Sequence, residues 1–217
     1  MNFWLNEIFS FTIVIGVLIG WIRFHKTDPA FLPFLILLTV GLIDETASLF
    51  IASSNTSNAF IFNLFTLVES FLVTLQFRKW NLFKGHKSRY YLVQVLFAAG
   101  WFAENFIHSF NAFNSWFIIG HSFLIVIMSI QMASEVIVNT TTPLYRQPIF
   151  LICLGLLISF SYTILIECYW LAGLNQVKLF QLEVYKILSY VNLLTNLLFS
   201  YAFLWVPLRL RYIMRHL

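Results

Sequence analysis

Seven apolar stretches run along the chain, at about 3–23, 31–53, 58–77, 90–109, 115–137, 147–171 and 180–206, with short polar segments between them. A helix needs roughly 20 predominantly apolar residues to cross the hydrocarbon core of a bilayer, and each stretch reaches that length. Within several stretches polar or small residues recur every three or four positions: Gly41, Glu45, Ser48 and Ala52; Asn63, Thr66, Glu69 or Ser70, and Gln76; Gln94, Trp101, Glu104 or Asn105, and His108; Lys186, Ser189, Asn192, Asn196 and Ser200. That spacing gathers each set on one helix face and leaves Leu, Ile, Val and Phe opposite, as a helix between a bundle interior and lipid requires. The pattern predicts an all-α membrane protein, a single seven-transmembrane-helix bundle over 1–217. The fourth stretch is the shortest and contains Glu104; without it the count would be six, with both termini on one side. Stretches two and six both open on an apolar Pro segment, FLPFLILLTVGLI and QPIFLICLGLLIS. With the similar spacing of stretches one to three and five to seven, this makes a 3+1+3 parallel pseudo-repeat an expectation.

Composition agrees with the pattern. Hydrophobic residues make up 60% of the 217 and charged residues 10%, against about 45–50% and 25% in soluble domains. Charge placement sets the orientation. Of 13 Lys and Arg, eleven (Arg23, Lys26, Arg78, Lys79, Lys84, Lys87, Arg89, Arg146, Arg209, Arg211, Arg215) follow the odd-numbered stretches or close the chain, and the opposite loops hold only Lys178. The positive-inside bias then places the N-terminus outside and the C-terminus in the cytoplasm of a multi-pass inner-membrane protein. The net charge of +4 is thereby assigned to topology, and nucleic acid is not an expected partner. The leading flank MNFWLNE carries an acid and no cation, the reverse of a cleavable signal peptide. Trp4, Trp21, Trp80, Trp116, Trp170 and Trp205 fall near span ends, as an interfacial belt does. Gly16 and Gly20 form a GxxxG, read as close packing inside the bundle or as a dimer face.

Ionisable residues inside spans are the main lead to function, because each costs roughly 2.5–3.5 kcal/mol near the bilayer centre. Asp44, Glu45, Glu69, Glu104, His121, Glu167, Glu183 and Lys186 all fall within the stretches, and the topology puts them at similar depth in the outer half. They predict a polar pocket open to the outside. Its candidate lining is Glu45, Asn63, Glu69, Trp101, Glu104, His121, Glu167, Lys186 and Asn192. The competing reading is helix-to-helix hydrogen bonding, which is the expected role of a lone Asn or Ser in a span. Lys186 has Glu183 one turn away and Glu167 across the bundle as candidate partners. A retinal lysine is not expected, because Lys186 lies only two turns inside its span and LGLLISFSYTILIEC lacks a retinal protein's aromatic and proline pattern. Cys153 and Cys168 would lie about 22 Å apart on one helix, too far to bridge. One histidine well within a span does not specify a metal site, and no nucleophile or phosphate-loop motif is present. No cofactor and no catalytic residue is therefore expected.

Three functions compete. The first is a receptor-like or sensory module that binds a small ligand or lipid and signals to a cytoplasmic partner through RKWNLFKGHKSR or RLRYIMRHL. The second is a small proton-coupled transporter. The third is an intramembrane lipid-modifying enzyme, for which no nucleophile or metal set is visible. The segments GLIDETASLF, NAFIFNLFTLVESFLVTLQFRKW, WFAEN, QPIFLICLGLLISFSY and VNLLTNLLFSYAFLW together resemble a group of small seven-span inner-membrane proteins common in Bacteroidota. The resemblance covers nearly the whole chain. It implies a seven-span fold, a signalling role only by the neighbourhood of some members to sensor histidine kinases, and polar positions matching Glu45, Asn63, Glu69, Trp101, Glu104 and Asn192. It brings no established activity.

Overall fold

A computed structural model describes residues 8–53, 58–110, 112–174 and 178–208. Trp4, the 1–7 flank, the 54–57 loop and the tail 209–217 lie outside the described residues. Within them the chain is helical, with no strand and one isolated bridge, Thr27 to Leu208. Seven long helices follow one another: α1 Ile13–Arg23, α2 Leu32–Ser53, α3 Ala59–Lys79, α4 Lys87–His108, α5 Ser115–Asn139, α6 Pro148–Leu171 and α7 Lys178–Trp205. Helices dominate because backbone amides and carbonyls have no water to bind in hydrocarbon and must pair within their own segment.

Six segments are long and apolar enough to cross a membrane: Ile8–Lys26, Pro29–Ile51, Ala59–Lys79, Ser115–Asn139, Pro148–Leu171 and Leu182–Trp205. The chain is a multi-pass membrane protein. Helix α4 is absent from this set. Lys87 and Arg89 open it, and Glu104, Asn105 and His108 close it, which lowers its mean hydropathy. Even so, its outward residues Leu92, Val95, Leu96, Phe102, Phe106 and Ile107 are large, apolar and exposed.

Consecutive helices pack on one another and α7 packs back on α1, closing a ring in which α3 also meets α5 directly. Helices α5 and α6 share the most extensive contact, and α4 touches its neighbours α3 and α5 least closely. Short breakers set the ends. Asp28 accepts from the Ala30 amide at 2.8 Å ahead of Pro29, and Pro148 opens α6, where a missing N–H costs nothing. The GxxxG glycines face inside the bundle. A Cβ at Gly16 would meet Ser200 Oγ at 3.1 Å and Leu38 at 3.3 Å, so the motif brings α1 against α7 and α2.

One end of the ring carries the basic loops, and there the interior is filled with apolar side chains. Phe34, Leu35 and Leu38 of α2 meet Val73 and Phe77 of α3, Met128 and Met132 of α5, Leu151 and Ile152 of α6, and Phe199 and Phe203 of α7. Gln76 satisfies the start of α2 from inside this core. Its Oε1 accepts from the Phe34 amide and its Nε2 donates to the Ala30 carbonyl, both at 2.8 Å. Around the rim, Arg23 donates to the Leu204 carbonyl at 2.6 Å, Lys84 pairs with Glu135 at 3.0 Å, and Arg78 lies over Tyr90 at 4.4 Å.

Candidate functional site

The opposite half of the ring, away from the basic loops, is not filled. A cavity of about 460 Å³ is enclosed there by α2, α3, α5, α6 and α7. It extends from the helix ends at Asn58, Phe113 and Trp170 down to Glu69, His121, Ser159 and Asn192. Helical phase explains the lining. On α6, Ser159, Thr163 and Glu167 repeat every four residues, and on α7, Tyr185, Leu188 and Asn192 repeat every three or four, each set forming one face.

Polar groups are concentrated at the cavity wall. Glu69 Oε2 lies 3.6 Å from His121 Nε2, with the imidazole 1% exposed and the carboxyl 19%. His121 Nδ1 lies 3.3 Å from the Phe117 carbonyl, and its Nε2 has no hydrogen-bond partner among the described residues. The ring itself is stacked against Phe117 and edge-on to Phe160. The Glu167 carboxyl lies near the Ser115 side chain, with Glu104 and His121 close enough to interact with it electrostatically. Asp44, one residue before Glu45, interacts electrostatically with Glu69. The site therefore collects carboxyls from α2, α3 and α6 around one imidazole.

The nine sequence candidates divide into two groups. Glu45, Glu69, His121, Glu167 and Asn192 line this cavity. Asn63, Trp101, Glu104 and Lys186 do not. Asn63 is held between loops and helices: its Nδ2 donates to the Ala112 carbonyl at 2.6 Å, and its Oδ1 accepts from the Asn114 amide at 3.2 Å. Trp101 donates its indole N–H to the Asn63 carbonyl at 2.7 Å. Glu104 accepts from the Trp116 and Phe117 amides at 3.1 and 2.5 Å. It thereby caps the start of α5, where free amides and the helix dipole favour a carboxylate. These three residues clamp α3, α4 and α5 together. Lys186 pairs with Glu183 at 3.6 Å with its side chain 41% exposed, about 100° around the helix from Tyr185.

Ser115, Ser159, Thr163 and Tyr185, with the aromatic wall of Phe62, Phe65, Phe113, Phe160 and Trp170, were not on the sequence list. The α6 stripe was readable as Ser159, Thr163 and Glu167 at i, i+4 and i+8, but it lies in the most apolar span. The aromatics carry no such signal, since Phe faces lipid as readily as a cavity.

A second hollow, a surface groove of about 500 Å³ between α4 and α5, is lined largely by apolar residues such as Leu96, Phe97, Ile107 and Leu124. His121 and Glu104 also border it, so the His121 side chain stands between groove and cavity. Among the described residues, no group of three or more His, Cys, Asp or Glu side chains is arranged to hold a metal ion. No protein-family model matches the chain, and no curated protein or solved structure is detectably similar to it.

Proposed function

We propose that the chain is a receptor-like, seven-span membrane module that binds a small ligand in the half of its bundle away from the basic loops and passes the resulting helix shift to a partner at the basic end. The observation that carries this reading is the division of the interior. One half holds a cavity of about 460 Å³ with convergent polar groups, within the size range of small-molecule sites. The other half is occupied by apolar side chains from the same helices. A cavity stopped by a packed core suits binding from one side; a carrier needs the site to open alternately to both.

Seven crossings are supported by the route of the chain. The starts of α3 and α5 lie at one end, where Asn63 bonds Ala112, and their far ends meet at the other through Lys84 and Glu135. The chain must return between them through α4, whose 22 residues span about 33 Å, enough for the hydrocarbon core. With seven crossings, the Lys and Arg bias makes the basic end cytoplasmic and the cavity mouth external.

A thermal-unfolding screen of the purified protein in lipid nanodiscs against small water-soluble compounds tests the reading. At least one compound is expected to raise Tm, as ligands that bind only the folded state do. The shift should vanish in Thr163→Trp, which fills the cavity. A shift that persists in that variant, or a screen without any shift, contradicts the proposal.

A further inference from the structure

The charge balance of the cavity indicates which ligand chemistry it suits. Among the described residues Glu45, Glu69 and Glu167 line it, and neither Lys nor Arg does. The base among these lining residues is His121, 2% exposed. The His121 Nε2 hydrogen-bonds to nothing among the described residues, although Glu69 stands 3.6 Å away. A buried polar atom in that state leaves hydrogen-bonding capacity unused inside the cavity. Lys186 is engaged elsewhere, on Glu183.

Much of the rest of the wall is aromatic, with Phe62, Phe65, Phe113, Phe160, Trp170 and Tyr185 beside hydroxyl, amide and aliphatic side chains. Ring faces carry negative charge density and attract organic cations, the more so where water is excluded. An anionic ligand would find carboxyls and no cation to receive it. A neutral ligand would bring no positive charge to the carboxyl groups of the wall, at a depth where a carboxylate is costly. An ammonium group offers three donors or a diffuse positive surface, and it pairs with carboxylate and ring face together.

We propose that the cavity binds a small organic amine in its ammonium form, its charged head between Glu69 and Glu167 and its apolar body against the Phe and Trp wall. This rests on the reading of the cavity as a ligand site. The two ideas fail differently in one experiment. The full chain is reconstituted in phosphatidylcholine nanodiscs, and binding of phenethylamine, phenethyl alcohol and 3-phenylpropionate is measured by calorimetry against empty nanodiscs. The three probes share ring and spacer and differ in the head group.

The amine is expected to bind at least about tenfold tighter than the alcohol, a difference of about 1.4 kcal/mol, with the acid weaker still. Glu69→Gln and Glu167→Gln should each erase most of that preference while leaving the alcohol within about twofold of wild type. Glu183→Gln, on the outer face of α7, should change nothing. Alcohol or acid binding as tightly as the amine overturns the ammonium assignment and leaves the cavity a ligand site. Absence of binding by all three overturns both. A preference that survives in both Gln variants overturns the role of these carboxyls. The head-group comparison on the wild-type chain needs no variant, so a misfolded mutant does not protect the proposal.

Discussion

Carboxyls inside these helices meet three different fates. Glu104 is 7% exposed and satisfied by two backbone amides at the start of α5. Glu69 and Glu167 face a cavity. Glu183 sits at the surface beside Lys186. Their energetics should differ accordingly. Glu104→Ala removes a cap and strands the amides, and it should destabilise the protein by about 1–2 kcal/mol. Glu183→Gln should stay within about 0.5 kcal/mol of wild type, as exposed pairs do. Reversible unfolding followed by circular dichroism distinguishes the two. The sequence made the inward direction of Asn63, Trp101 and Glu104 legible but not their partners. Helical phase says that a side chain points into the bundle. It does not say whether it meets a void or the end of the next helix, because that depends on loop geometry near residues 112–114. The buried hydroxyls show the same ambiguity. Ser70, Thr74 and Ser200 bond carbonyls four residues back on their own helices and read in sequence like pocket residues.

At the scale of elements, the helix positions were largely legible, because unbroken apolar length and polar breaks carry the information. The stretch at 90–109 corresponds to α4 Lys87–His108, and 147–171 to α6 Pro148–Leu171. The first stretch is the exception: residues 8–10 are helical, a turn at Phe11 and Thr12 follows, where Thr12 Oγ1 donates to the Phe9 carbonyl at 2.6 Å, and α1 runs as a regular helix from Ile13. Close approaches were not legible, since a lone Gly in an apolar run does not name its partner. Gly155 of α6 is the clearest case. A Cβ there would overlap the Phe199 ring of α7, and an aromatic ring cannot yield as an end methyl group does. Gly155→Ala should cost about 1–3 kcal/mol by overpacking. Adding Phe199→Leu should recover much of it, which a double-mutant cycle of unfolding free energies would show as coupling.

For the whole molecule, the proposed seven crossings and orientation place α4 across the bilayer. In a background with Cys153 and Cys168 replaced, Ser88→Cys and Ser109→Cys flank α4. They should react with an impermeant maleimide from opposite faces, Ser109→Cys from outside. Reaction of both from the same face would leave α4 outside the hydrocarbon and reduce the crossings to six. Sequence alone reached the location of the polar half of the bundle but not its division into a clamp at α3–α4–α5 and a cavity among α2, α3, α5, α6 and α7. That division arises from how a closed ring distributes void space, which no single helix encodes.

A ligand site in this bundle requires that water reach the cavity above the packed core. Thr163 lies in its wall, whereas Ser129 of α5 is fully buried in the apolar half. In the cysteine-replaced background, the rate of modification by a small cationic methanethiosulfonate measures access at Thr163→Cys and Ser129→Cys. Thr163→Cys should react from the face opposite the basic loops at least about a hundredfold faster than Ser129→Cys, the difference of about 2.7 kcal/mol expected between an open and a closed position. Equal, slow modification of the two would contradict the open cavity.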